Sequence, residues 1–340
     1  MNIYLPSGYL DIEKIISPKI FHTIIFVGPR GCGKSFGILD QIALENPQKF
    51  IYMRTMKVEL DLLKLPDLNP FNALNIKKGS TITLKKQGQY FSTIHPDDNK
   101  ASPTLGIASA LSTIYHARGM DASMYKVLFY DEFIPEPHVR IMKEQYKALK
   151  GAYETLNRNR ELEGEPPLKL IMCGNSDDIN NDILAGYDLI DDIFRMREDG
   201  IEIKDYPERG LRVVYPYKSP IAEKKKKTAN YQSDTSDYSR MALGNEFTGF
   251  YKGNIQSMNL KNYRPKVKIA NLGIYRSRSD KTFYVSTCVN AQFPECYNLT
   301  DYELARFRYK YVFLYDLYLR GKIIFEKACC EIAFINLFKK

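Results

Sequence analysis

The 340-residue sequence predicts an α/β architecture, a doubly wound and mainly parallel sheet joined to a smaller second domain. Three observations point there. The first half alternates short apolar runs with segments of helical spacing, the pattern of βαβ units whose sheet is covered by helices. A glycine-rich octapeptide, GPRGCGKS at 28–35, lies between an apolar run and a helical one. The chain is longer than one hydrophobic core usually supports, and its charge is uneven. Residues 1–200 hold 24 Lys and Arg against 26 Asp and Glu, whereas residues 201–340 hold 25 against 14. All the excess positive charge is therefore in the last two fifths, as where a balanced catalytic half is joined to a part that meets a polyanion. A solvated basic surface is the alternative.

In chain order, IIFVG (24–28) reads as a strand, KSFGILDQIALEN (34–46) as a helix stopped by Pro47, and KFIYMRT (49–55) as the next strand. STITLKK (80–86) and QYFSTI (89–94) read as an inserted hairpin. KVLFYDE (126–132) is a buried strand ending in two acids, and LKLIMCGNS (168–176) is another, ending in a polar loop. Between them, Met142, Tyr146, Leu149, Tyr153 and Leu156 share one face of a long helix over 139–160. The stretch 208–242 is poor in aliphatics and rich in Lys, Ser, Thr and Asp, so it reads as a linker or small helical connector. It separates a first domain, 1–207, from a second, 243–340. In the second, IYRSRSDKTFYVSTCV (274–289) reads as two strands around a polar turn. Thr300 and Glu303 form a capping box that opens a helix over 301–320, whose tyrosines are assigned to the core.

No segment approaches the ~20 apolar residues that span a bilayer, and nothing near Met1 resembles a signal peptide. The six cysteines include no CxxC pair and the four histidines are scattered, which argues for reduced thiols and against zinc. A soluble intracellular protein is expected.

GPRGCGKS matches GxxxxGK[ST] in full. Gly28, Gly31 and Gly33 let consecutive backbone amides face inward as an anion nest, and the helix that follows adds its positive dipole end. Lys34 is placed for the β and γ phosphates of ATP, and the Ser35 hydroxyl for Mg²⁺. The nucleotide-binding set is Gly28, Pro29, Arg30, Gly31, Cys32, Gly33, Lys34, Ser35 and Phe36. Within it, Pro29 fixes its own φ and Cys32 is a small filler; Arg30 meets phosphate or a neighbouring subunit, or is solvated. Asp131, at the end of its strand, suits Mg²⁺, while Glu132 is placed to polarise an attacking water. Asn175, at the tip of the next buried strand, either senses the γ-phosphate or serves as a turn residue. In P-loop NTPases of the additional-strand, catalytic-glutamate type, that strand lies between the glycine-loop strand and the acid strand. Arg158 and Arg160 end the long helix, and either is a candidate arginine finger or a cation suited to the helix dipole. Lys224, Lys225, Lys226 and Lys227 contact nucleic acid by charge alone or form a solvated spacer. Tyr251, Tyr263 and Tyr275, interleaved with basic residues, read as core or surface tyrosines rather than base stackers.

Taken together, GPRGCGKS, FIYMRTMKVEL (50–60), VLFYDEFI (127–134), LNRNREL (156–162), CGNS (173–176) and AEKKKKT (222–228) resemble, in order and spacing, the genome-packaging ATPases of phi29-like tailed phages. The resemblance is strong over the first 180 residues and looser after the linker. It implies a homo-oligomeric ring, a pentamer, that docks on the portal of an empty prohead in the host cytoplasm and pumps double-stranded DNA inward. A structural packaging RNA is a further implied partner, and no membrane is involved. On the same ground Arg158, the first arginine of RNRE, is the trans-acting finger, and Arg54 and Lys57 act at the subunit interface or on nucleotide. The second domain is then similar to an RNase H-type nuclease that has lost its metal-binding carboxylates. LGIYRSRS (272–279) carries arginines where such an acid would stand, so no DNA cleavage is expected. The competing classes are another nucleic-acid-dependent P-loop ATPase, such as a helicase or phage assembly ATPase, and a small-molecule kinase. A kinase would need a substrate lid and would not need Glu132.

Overall fold

A computed structural model describes residues 2–84, 90–93, 105–114, 121–136, 142–176, 181–232, 243 and 254–338. Contacts divide the chain into two compact units, residues 1–183 with 196–248 and residues 184–195 with 249–340.

The first unit is built on a nine-stranded sheet. Its strands are β1 (Thr23–Val27), β2 (Phe50–Arg54), β3 (Ile82–Leu84), β4 (Tyr90–Thr93), β5 (Gly106–Ala110), β6 (Val127–Asp131), β7 (Lys169–Gly174), β8 (Ile203–Tyr206) and β9 (Leu211–Val214). They lie in the order β3-β4-β5-β2-β6-β7-β1-β9-β8. From β5 to β9 all neighbours are parallel, and β3, β4 and β8 close the edges in antiparallel pairs. Every residue of β1 and β6 is buried, as a parallel sheet covered on both faces requires. Phe50, Tyr52, Phe71, Phe91 and Phe129 pack edge-on or tilted around the middle of the sheet.

The expected hairpin is present as β3 and β4, with residues 85–89 outside the described residues. β7 lies between β6 and β1, the order expected when a catalytic glutamate follows the acid strand. The long helix runs Gln145–Asn157, burying Leu149, Ala152 and Leu156. Tyr146 and Tyr153 of its expected face are half-buried, and residues 137–141 lie outside the described residues. The boundary at residue 207 is too early. β9 pairs with β1 from Thr23–Leu211 to Phe26–Val214, so residues 208–214 reach into the sheet rather than the linker. Four residues, LRVV, inside a polar stretch give too short a pattern to be noticed. Beyond them the connector holds the short helices Pro220–Lys225 and Ala229–Gln232.

The second unit has a five-stranded sheet, β10 (Tyr263–Ile269), β11 (Leu272–Ser277), β12 (Phe283–Ser286), β13 (Cys296–Tyr297) and β14 (Ile323–Phe325), in the order β13-β10-β11-β12-β14. β10, β11 and β12 form an antiparallel meander, and β13 and β14 join its edges in parallel. The helices Asp301–Leu319 and Ala328–Phe338 complete a core that includes Val267, Ile274, Phe307, Leu314, Phe325 and Phe334. The run 261–268, read as a basic segment, is largely the strand β10. Its Pro265 sits at a bulge, where a missing ladder donor is tolerated. Tyr263 and Tyr275 are buried together with Tyr284, whereas Tyr251 lies outside the described residues.

The capping box is present in part: the Glu303 amide donates to Thr300 Oγ1 at 3.4 Å. The assignment of that helix's tyrosines to the core needs correction. Tyr311 and Tyr318 are buried with Phe307 and Leu314, but Tyr302 is 71% and Tyr309 90% exposed. This helix carries apolar residues on two faces and packs only one of them. No described helix is long and apolar enough to cross a membrane.

Candidate nucleotide site

β1 runs straight into the glycine loop and the helix Lys34–Asp40. Gly31 and Gly33 have φ of +74° and +94°, values that only glycine adopts cheaply, so the loop cannot close with side chains there. The Lys34 side chain is buried and curls back onto its own loop. Its Nζ donates to the Gly28 carbonyl at 2.9 Å, to the Pro29 carbonyl at 2.8 Å and to Asn175 Oδ1 at 3.2 Å. An ammonium has three N–H groups, so each has an acceptor in this arrangement. The pull of Asn175 on Lys34 joins the tip of β7 directly to the loop.

Two acids stand at the end of β6, Asp131 as its last residue and Glu132 just after it. Asp131 is buried, with Oδ1 accepting from Ser35 Oγ at 2.7 Å and Oδ2 from Tyr52 Oη at 3.0 Å. Burial raises its pKa, while Arg54, Ser35 and Tyr52 oppose that rise by favouring the carboxylate. Glu132 has a left-handed backbone, φ 53°, and its carboxylate pairs with Arg54 Nη2. Arg54 also lies 3.7 Å from Asp131 and 3.9 Å from Glu59, so one guanidinium faces three carboxylates. Its position follows from strand order, since β2 is the neighbour of β6. Together Arg30, Gly31, Gly33, Lys34, Ser35, Phe36, Asp131, Glu132, Cys173, Gly174 and Asn175 line a cleft of about 340 Å³ at the carboxyl ends of the parallel strands, the usual place for ligands in such sheets.

The podovirus DNA encapsidation protein (Gp16) family model matches residues 6–331, nearly the whole chain. The chain belongs to that family. Its work is therefore DNA encapsidation. Among solved structures, this encapsidation protein is similar to the bacteriophage phi-29 viral genome packaging motor assembly, at 19% identity, with 97% of this chain and 98% of that one covered and a TM-score of 0.66. It is also similar to the phi-28 gp11 DNA packaging motor, at 18% identity, with 96% and 97% covered and a TM-score of 0.59. At such identities these likenesses establish a shared fold. No curated protein matches.

The remaining anticipated residues of the encapsidation protein fall into distinct places. Gly28, Pro29 and Cys32 form the back of the loop; the first two offer carbonyls to Lys34, and Cys32 is buried. Arg30 pairs with Glu136 at the cleft edge. Lys57 begins the helix Lys57–Leu62, is exposed, and is not among the cleft residues. Arg158 and Arg160 part company. Arg158 is exposed, with a left-handed backbone at φ 46°, and lies outside its own subunit's cleft. Arg160 is buried and donates through Nη2 to the carbonyls of Ala122 and Tyr125, each at 2.6 Å. It fastens the loop before β6, so it is a buried structural residue rather than the exposed cation expected at the helix end. Of the lysine run, Lys224 donates to the Ser7 carbonyl, Lys225 to the Arg30 carbonyl, and Lys226 pairs with Glu223. The residue that sequence reasoning missed is Tyr52, whose hydroxyl holds Asp131. It stood in plain sight in the quoted FIYMRT segment, but nothing local says that its strand would neighbour the acid strand.

Proposed function

We propose that the first unit hydrolyses ATP and that the protein is the motor that drives double-stranded viral DNA into a prohead. The observation that carries this reading is the contact between Ser35 Oγ and Asp131 Oδ1 at 2.7 Å, two hard oxygen donors at the mouth of a glycine loop. That donor set suits Mg²⁺, which Ser35 and Asp131 would hold and which would neutralise phosphate charge there. Loop amides and Lys34 then hold the phosphates, Lys34 exchanging its carbonyl partners for phosphate oxygens. Asn175, bonded to Lys34, is positioned to register that exchange. Glu132 serves as the base for the attacking water. In this structure its carboxylate is paired with Arg54, so reaching the water means leaving that ion pair.

Arg158 points to a ring. It is exposed and outside its own cleft, the placement of a finger offered to a neighbour. We read the motor as a homo-oligomeric ring, a pentamer, working with the portal and a packaging RNA in the host cytoplasm; the likeness to packaging motor assemblies supports assembly with other motor components. The second unit presents Arg264, Lys266 and Arg276 on its surface, suited to phosphate backbones. It reads as a decayed RNase H-type domain that does not cleave DNA, since β11 carries Arg276 where a metal-binding acid would be expected.

Mixing tests the trans arrangement. Arg158→Ala and Glu132→Gln rings should each bind ATP and hydrolyse it slowly. In mixed rings some interfaces join an intact Glu132 to a neighbour's intact Arg158. Activity should then exceed the average of the two pure variants. Activity fixed at that average, with mixed assembly verified, would place Arg158 within its own subunit's chemistry.

A further inference from the structure

Four consecutive lysines, Lys224 to Lys227, look interchangeable in the sequence, yet the fold treats one of them differently. Lys224, Lys226 and Lys227 are exposed, while Lys225 is half-buried. Its Nζ donates to the Arg30 carbonyl at 2.7 Å, on the outer side of the glycine loop. Gly31 is held to glycine by its positive φ, and the Lys225 ammonium lies so close against it that a β-carbon there would push the lysine tip aside. The helix Pro220–Lys225 is seated by further contacts. Lys224 Nζ donates to the Ser7 carbonyl at 3.0 Å, and a β-carbon on Gly8 would stand 3.1 Å from Pro220. The same N-terminal turn reaches the loop itself, the Leu10 amide donating to the Cys32 carbonyl at 3.2 Å. The outer carbonyls of Arg30 and Cys32 are thus held by one collar made of the N-terminal turn and the connector helix.

Charge gives this collar a dependence on what the loop holds. Lys225, Lys34 and Arg30 are three cations around one loop. Burial and the nearby Lys34 and Arg30 lower the Lys225 pKa, with Cys32 acting the other way. A polyphosphate on the inner face of the loop relieves that repulsion, so the ammonium is held more firmly when nucleotide is bound.

We infer that Lys225 is a positioning residue for nucleotide, tying the connector helix to the outer carbonyls of the phosphate loop so that loop occupancy is felt by the segment leading to the second unit. This rests on the nucleotide reading of the loop and adds to it a route by which binding is transmitted along the chain. Lys225 touches no phosphate; it acts through the loop.

The test uses the full-length protein, with Mg·ADP as the probe and two readouts: the dissociation constant and the rate of tryptic cleavage after lysines 224–227. In the unsubstituted protein, saturating Mg·ADP should slow cleavage of the connector. Lys225→Met should raise the dissociation constant roughly three- to tenfold and abolish the slowing even at saturation. Lys225→Arg should restore both in large part, which a merely structural loss would not allow, and Lys226→Met should bind as the unsubstituted protein does. A Lys225→Met protein with unchanged affinity, or one whose connector is still protected by nucleotide, overturns the inference. So does a connector that nucleotide never protects in the unsubstituted protein. Absence of any Mg·ADP binding by the unsubstituted protein is a separate failure, that of the nucleotide reading itself.

Discussion

Each unit buries a carboxylate, and the two are treated in opposite ways. Asp131 in the first unit has Ser35, Tyr52 and Arg54 around it. Glu331 in the second is fully buried; one oxygen accepts from Tyr318 Oη at 2.9 Å and the other has no hydrogen-bond partner among the described residues. Burial pushes the Glu331 carboxyl up to about 7, with the Tyr318 bond pulling the other way. A buried acid surrounded by donors at a strand end has neighbours that offset the rise burial causes. A buried acid with one neutral donor is a cost to stability, carried by an otherwise aromatic and aliphatic core.

That contrast can be broken by substitution. Asp131→Asn should cut ATP turnover by about a thousandfold and remove the Mg²⁺ dependence of nucleotide binding. Melting should change little, because the amide still fills the site. A variant that hydrolyses ATP normally would strip Asp131 of its role. Next in size is Arg160→Leu, which leaves the Ala122 and Tyr125 carbonyls without their donor. It should cost about 3 kcal/mol of stability in denaturant unfolding. Arg158→Ala should leave the unfolding midpoint in place, so equal destabilisation by the two changes would erase the distinction drawn between these arginines.

The last effect, confined to the high-pH side, concerns Glu331. Its folded-state pKa, about 7, lies above the ordinary 4.5, so its contribution to stability is fully present below pH 4.5 and is lost as pH rises through 7. Glu331→Gln should match the unsubstituted protein near pH 4.5 and exceed it at pH 8 by about 3 kcal/mol. Amide exchange in the helix Ala328–Phe338 across that pH range reads this directly. Parallel pH profiles for the two proteins would show that Glu331 does not titrate there.

The first unit's site was legible because its chemistry demands residues at fixed spacing. A phosphate loop must place Lys34 and Ser35 after Gly33, and the acids must end an apolar strand. What was hidden depends on which strands become neighbours. Arg54 faces Asp131 and Glu132 because β2 lies beside β6, and Tyr52 reaches Asp131 for the same reason. Arg160 differs from Arg158 only through carbonyls in a loop some 35 residues away. β9 escaped notice because four residues carry too little pattern, and the exposed Tyr302 and Tyr309 because a helix apolar on two faces does not announce which face packs. The second unit carries no motif of fixed spacing; its two strands around a polar turn and the helix opened by Thr300 were legible from local pattern, and the rest only as charge and aromatic content.

Everything in the first unit's reading turns on Glu132 as the base of an ATP-hydrolysing engine. The most direct measurement is Mg·ATP binding and steady-state hydrolysis by the Glu132→Gln protein beside the unsubstituted one, with proheads and double-stranded DNA present. Affinity should be retained, since Lys34, Ser35 and Asp131 are untouched, and turnover should fall by roughly a hundredfold or more. Turnover at the unsubstituted rate would contradict the account.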